Sequence, residues 1–126
     1  MRKIIVIDDD APIRDVFEII LARAGFDVQI YGDGEAVLAN TIREPDLFII
    51  DKQLTGVDGL DIFKFLRARE GIKKTPVIII SASNRAEREA LDAGADAFLA
   101  KPFKTAILVE LVKQLMNITG NSIEKQ

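Results

Sequence analysis

The chain has 126 residues, 48% hydrophobic and 29% charged, enough apolar content for one domain with a real core. A formal net charge of −3 leaves no electrostatic footprint for nucleic acid or an anionic membrane surface. Cysteine and histidine are both absent, which excludes disulfides, thiolate or imidazole zinc sites, serine–histidine triads and histidine general bases.

In chain order, apolar runs of strand length alternate with helical patterns. Ile4–Ile7 is a continuous apolar run, as expected of a strand buried on both faces. It is too short for a signal peptide, and Asp8–Asp10 cut it off. Pro12 opens a helix whose expected core stripe is Ile13, Val16, Phe17, Ile20, Leu21 and Ala24; Gly25 ends it. Asp10, just ahead of Ala11-Pro12, reads as its N-cap. Val28–Tyr31 is a second strand, Gly32-Asp33-Gly34 a loop, and Glu35–Ile42 a helix. Pro45 interrupts before the third strand, Leu47–Ile50. Leu54–Gly59 reads as a glycine-bearing loop and Leu60–Glu70 as a helix, with Ile62, Phe63 and Leu66 on its core stripe and Phe65 toward solvent. Pro76 introduces the fourth strand, Val77–Ile80, and a helix over Ala86–Ala93 stops at Gly94. Ala97–Ala100 is the fifth strand, broken by Lys101-Pro102 before a last helix, Thr105–Asn117. There Leu108, Leu111, Leu115 and Ile118 form the expected core stripe, with Val109, Val112 and Met116 on a neighbouring one.

Five strands alternating with five helices predict an α/β fold, a flavodoxin-like (βα)5 three-layer sandwich whose parallel sheet runs 2-1-3-4-5. One domain is expected over residues 1–119, with a polar tail over 120–126. No stretch approaches the length of a membrane span, so a cytoplasmic protein is expected.

In such a fold, chemistry sits beyond the carboxyl ends of the strands. The first predicted strand is followed by Asp8, Asp9 and Asp10, the third by Asp51, the fourth by Ser81 and the fifth by Lys101. Carboxylates within about 4–6 Å of one another repel, and one is forced to protonate unless a cation joins them. Mg²⁺ suits such a set, with Mn²⁺ as an alternative, because hard oxygen ligands and a phosphate oxygen complete its octahedron. A carboxylate beside that ion can attack phosphorus, and a nearby lysine offsets the charge on the transferring group.

These residues resemble the receiver domains of two-component response regulators. The resemblance rests on Ile7-Asp8-Asp9-Asp10, Pro45-Asp46-Leu47 leading to Asp51, Gly56-Val57-Asp58-Gly59, Ala93-Gly94-Ala95-Asp96 and Lys101-Pro102-Phe103, in the family's order, and spans about Lys3 to Met116. It implies that Asp51 is the phosphoacceptor and that Asp9 ligates Mg²⁺ directly, with Asp8 acting through water. Asp51 and the backbone carbonyl of Gln53 would complete the protein's share of the coordination. Lys101 would pair with phosphoryl oxygens, Ser81 would donate its hydroxyl to them, and Phe98 stands at the switch aromatic. Gln53 and Ser83 are expected to tune dephosphorylation, and the Lys101–Pro102 bond is cis in relatives. Thr55 stands where proline is common before Gly56, which implies a more mobile loop, and Thr105 is expected to cap the last helix in place of Lys104.

The resemblance further implies a sensor histidine kinase or histidine phosphotransfer protein as donor, with Pro12 and Ile13 as candidate docking residues. A downstream effector protein is expected, without direct nucleic-acid or membrane binding. The surface of the fourth helix, fifth strand and fifth helix is the expected readout and a candidate face for a phosphorylation-dependent dimer. On this reading the chain is no enzyme in the ordinary sense but a switch acting on its own aspartate. One rival is an aspartate-nucleophile phosphatase, which typically carries a second aspartate where Gln53 stands. The other is a receiver-like binding module that is never phosphorylated.

Overall fold

A computed structural model describes residues 2–39, 44–69, 72 and 74–117. Strands β1 (Lys3–Ile7), β2 (Asp27–Tyr31), β3 (Leu47–Asp51), β6 (Val77–Ser81) and β7 (Ala97–Ala100) form one parallel sheet in the order β2-β1-β3-β6-β7. This is the expected 2-1-3-4-5 order of the five apolar runs. The remaining two strands, β4 (Gln53–Leu54) and β5 (Val57–Asp58), pair antiparallel as a small hairpin outside the sheet. A plain loop was expected there. Thr55 and Gly56 instead make a two-residue turn, with Gly56 at φ +81, a conformation that side-chain-bearing residues rarely adopt.

The helices are α1 (Ala11–Arg23), α2 (Glu35–Leu38), α3 (Gly59–Arg67), α4 (Arg85–Asp92) and α5 (Thr105–Leu115). Only one turn of the second predicted helix falls within the described residues, and the expectation over 40–42 lies outside them. The same holds for Glu70 of the third helix, for Ile118 and for the polar tail.

The strands explain the layering. Ile5, Ile7, Phe48, Ile50 and Ile79 pack on one face with Val37 of α2, Leu60, Ile62, Phe63 and Leu66 of α3, and Ala90 of α4. Ile4, Val6, Leu47, Ile49, Ile78 and Ile80 point to the other face, against Phe17 and Leu21 of α1 and Leu108, Val112 and Met116 of α5. The alternation of side chains along each strand sends neighbours to opposite cores, so central strands must be apolar throughout.

Helix faces are where the expectations need correction. Val16 is 43% exposed, because it lies about 100° of helical rotation from buried Phe17. On α5 the fully buried positions are Leu108, Val112 and Met116, while Leu111, Leu115 and Val109 are half-buried. The inner face is thus rotated from the expected stripe. Phe65 is half-buried against the α3-side core and does not stand in solvent.

Caps follow local chemistry. Asp10 Oδ1 accepts the Ile13 N–H at 3.2 Å, with Pro12 in the first turn, and Asp58 Oδ1 accepts the Leu60 N–H at 2.8 Å. Lys104, in extended conformation, occupies the N-cap position of α5 without a side-chain cap, so Thr105 is the first helical residue and not the cap. Asp10→Ala is expected to cost about 1 kcal/mol, read as a lower urea midpoint with unchanged slope in metal-free buffer.

Candidate functional site

Sheet register brings the reactive residues into one row. Ile7 pairs with Ile50, Asp51 with Ile80 and Ser81 with Ala100, so Asp8, Asp51, Ser81 and Lys101 fall at successive strand ends. Each is the first polar residue after an apolar run, fully buried for β3 and β6, nearly so for β1 and partly buried for β7. The sheet therefore delivers them from rigid backbone rather than from free loops.

Lys101 sits at the centre. Its Nζ donates to Asp8 Oδ2 and to Asp51 Oδ2, each at 3.0 Å. Asp8 is fully buried and Asp51 only 4% exposed. Asp8 is held further by the Asp10 N–H on its Oδ1 at 2.9 Å, while its backbone carbonyl accepts from Arg14 at 2.9 Å. Asp51 Oδ1 accepts the Gln53 N–H at 3.0 Å. Asp9 is the solvent-facing member of the group; its Oδ2 accepts both the backbone N–H of Thr55 at 2.8 Å and the Thr55 hydroxyl at 2.6 Å. Asp8, Asp9 and Asp51 each place a carboxylate oxygen within 4.8 Å of the others.

The electrostatics are unbalanced. Three carboxylates face a single ammonium. Burial, reinforced by the charge of Asp8, pushes the Asp51 carboxyl above its ordinary range against the pull of Lys101. Desolvation pulls the Lys101 ammonium down, but its bonds to Asp8 and Asp51 outweigh this and leave it raised. The Thr55 hydroxyl, aided by the Thr55 N–H, holds Asp9 below the usual carboxylate range. Hard oxygen donors with uncompensated negative charge fit a hard divalent cation.

The other expected residues lie close by. The Ser81 hydroxyl donates to Gln53 Oε1 at 2.6 Å and accepts the Ser83 N–H at 3.0 Å. Gln53 and Ser83 thus both meet Ser81. Phe98, paired in register with Ile79, is half-buried against the α3-side core. The Lys101–Pro102 bond is cis, as relatives suggested.

Three features escaped the sequence reading. Thr55 ties the turn to Asp9 through both its backbone N–H and its hydroxyl. Lys52 Nζ reaches Asp58 Oδ2 at 2.9 Å and Glu89 Oε2 at 3.7 Å, joining the residue after Asp51 to the cap of α3 and to α4. Gly59 lies directly against the backbone carbonyl of Asp51, in space that a Cβ would occupy. Nothing in residue spacing signals the first two; the third is signalled only by the glycine itself.

This fold and acidic pocket define a response-regulator receiver architecture, and the comparisons with known proteins agree. The family model for the response regulator receiver domain matches residues 4–113. The chain belongs to that family. It is 36% identical over 116 residues to the DNA-binding response regulator MtrA of Mycolicibacterium paratuberculosis, covering 89% of this chain and 50% of that protein. The chain therefore spans about half the length of the curated relatives it matches. Among solved structures, the receiver domain of a sensor histidine kinase from Pseudomonas aeruginosa PAO1, described with a magnesium ion coordinated in its active-site cleft, superposes with a TM-score of 0.84 at 29% identity, covering 92% of this chain and 98% of that one. The response regulator TrrA of Thermotoga maritima, in complex with Mg²⁺-BeF, gives 0.82 at 28% identity, covering 91% and 99%. Among the described residues no helix is long and apolar enough to cross a membrane.

Proposed function

We propose that the chain accepts a phosphoryl group on Asp51 in a Mg²⁺-dependent reaction and passes the signal on by a change of shape. The observation that carries this is the shared ammonium: Lys101 bridges Asp8 and Asp51 at 3.0 Å while Asp9 stands within reach of both. A structural ion pair needs one carboxylate, and three converging on one ammonium, two of them buried, are accommodated when more positive charge arrives.

Asp8, Asp9 and Asp51, with the Gln53 carbonyl, would hold the cation, which when bound neutralises charge on the phosphoryl oxygens. Mn²⁺ would serve in its place. Asp51 needs no general base once ionised, since its carboxylate is itself the nucleophile. Lys101 then has a phosphoryl oxygen to pair with, and Ser81 can turn its hydroxyl toward the same group. The donor is a phosphohistidine on a sensor kinase or phosphotransfer protein, docking near Pro12 and half-buried Ile13. The readout is the surface of α4, β7 and α5, through Ser81 and Phe98. Beyond phosphotransfer to itself and hydrolysis of its own acyl phosphate, no turnover of a separate substrate is expected. Incubation with acetyl phosphate and Mg²⁺ should give an acid-stable, alkali-labile mass increase on Asp51. A protein that stays unlabelled, or that turns over a phosphoester continuously, overturns the reading.

In the resting state the Ser81 hydroxyl is already engaged by Gln53 Oε1. Gln53→Met removes that acceptor and leaves the Gln53 carbonyl in place. A neutral hydrogen bond is worth about 1 kcal/mol net, so Mg²⁺–beryllofluoride affinity should rise roughly fivefold. Unchanged affinity in a calorimetric titration would mean that this bond does not hold the resting state.

A further inference from the structure

We infer that Thr55 is a positioning residue for the cation: it holds the Asp9 carboxylate in the cluster so that the site is assembled before any ion arrives. The inference rests on the proposed Mg²⁺ site and adds to it a residue at the turn of the β4–β5 hairpin.

The three carboxylates are kept together by different means. Asp8 and Asp51 are buried and share Lys101. Asp9 faces solvent. Its repulsion from two buried neighbours favours swinging outward into water, where an exposed carboxylate is well solvated. What opposes that swing is Thr55, which places two donors on the single atom Asp9 Oδ2, the N–H at 2.8 Å and the hydroxyl at 2.6 Å. The bonds saturate Oδ2 and leave Oδ1 as the oxygen available to an ion. Groups that hydrogen-bond a ligand in this way fix its orientation, and their loss typically weakens metal binding by about 10–100-fold.

The hairpin makes the arrangement rigid. Leu54 pairs with Val57 across the turn, and Gly56 supplies the positive φ that closes it beside Thr55, whose N–H is directed to Asp9 Oδ2. Proline at position 55 would fit a turn but lacks the N–H, and it has no hydroxyl. Threonine here therefore does chemically what proline cannot.

Three proteins are compared by calorimetric Mg²⁺ titration, with folding checked by circular dichroism: the wild type, Thr55→Val and Thr55→Ser. Valine keeps the branched shape and the N–H and loses the hydroxyl; serine keeps both donors. Mg²⁺ affinity should fall about tenfold in Thr55→Val and stay within about twofold of wild type in Thr55→Ser. An affinity in Thr55→Val equal to or tighter than wild type overturns the inference, as does an equal loss in Thr55→Ser. A wild-type protein that binds no Mg²⁺ overturns the proposed function itself, which keeps the two failures apart.

Discussion

Asp51→Asn is expected to abolish phosphorylation by any donor and, in metal-free buffer at neutral pH, to make the protein more stable. The first effect follows from removing the nucleophile. The second follows from the environment of the carboxylate. Desolvation and the charge of Asp8 raise the Asp51 pKa against the pull of Lys101. The native state therefore binds this proton more tightly than the unfolded chain does. Stability therefore falls as pH rises from the unfolded value through the raised native one, and the cost of ionising Asp51 is felt above that window. Asparagine carries no charge to desolvate, so the gain should be roughly 0.5–2 kcal/mol, the range common for single stabilising substitutions. It should shrink at acidic pH, where wild-type Asp51 is protonated, and narrow again when Mg²⁺ is added to both proteins. Urea denaturation with a chelator, then with Mg²⁺, measures both. A less stable Asp51→Asn protein would show that the bond to Lys101 outweighs the cost of burial.

Gly59→Ala is expected to be among the most damaging small substitutions in the chain. A Cβ there would fall on the carbonyl of Asp51 and within 2.9 Å of Lys52 Cα. Neither atom can retreat: Asp51 is fixed by the parallel sheet, and the Gly59 N–H donates to the Lys52 carbonyl at 2.7 Å. Overpacking against backbone should cost about 3 kcal/mol. Gly34 offers the contrast, since a Cβ at that position would meet Ile62 Cδ1 and, at 3.1 Å, its Cγ1, side-chain atoms with rotational freedom that backbone lacks. Gly34→Ala should therefore cost clearly less in the same denaturation series. Equal losses would mean that the Asp51 peptide yields more readily than the sheet suggests.

The sheet was legible because its central strands are apolar on both faces, a pattern with few alternatives at that length. The acidic residues and Lys101 were legible as the first polar residues after those strands, once the strand order placed them at one edge. Helix orientation was less so. On α1 and α5 nearly every inward and flanking position is aliphatic, so periodicity alone could not say that Val112 and Met116 face in while Val16 faces out. The hairpin was hidden because two-residue strands carry no periodicity. The bonds of Thr55 to Asp9 and of Ser81 to Gln53 join residues 46 and 28 positions apart. Only tertiary structure brings such pairs together.

The two arms of Lys52 differ in how they will respond to ionic strength. The contact with Asp58 is short and directional, a hydrogen bond at 2.9 Å, whereas that with Glu89 is longer, 3.7 Å, and its acidic partner is 56% exposed. Dissolved ions weaken solvent-facing attractions first. Raising salt should thus loosen the Lys52 contact with Glu89 before that with Asp58, so that the electrostatic tie from the residue after Asp51 to α4 depends on the electrolyte while that to the start of α3 persists.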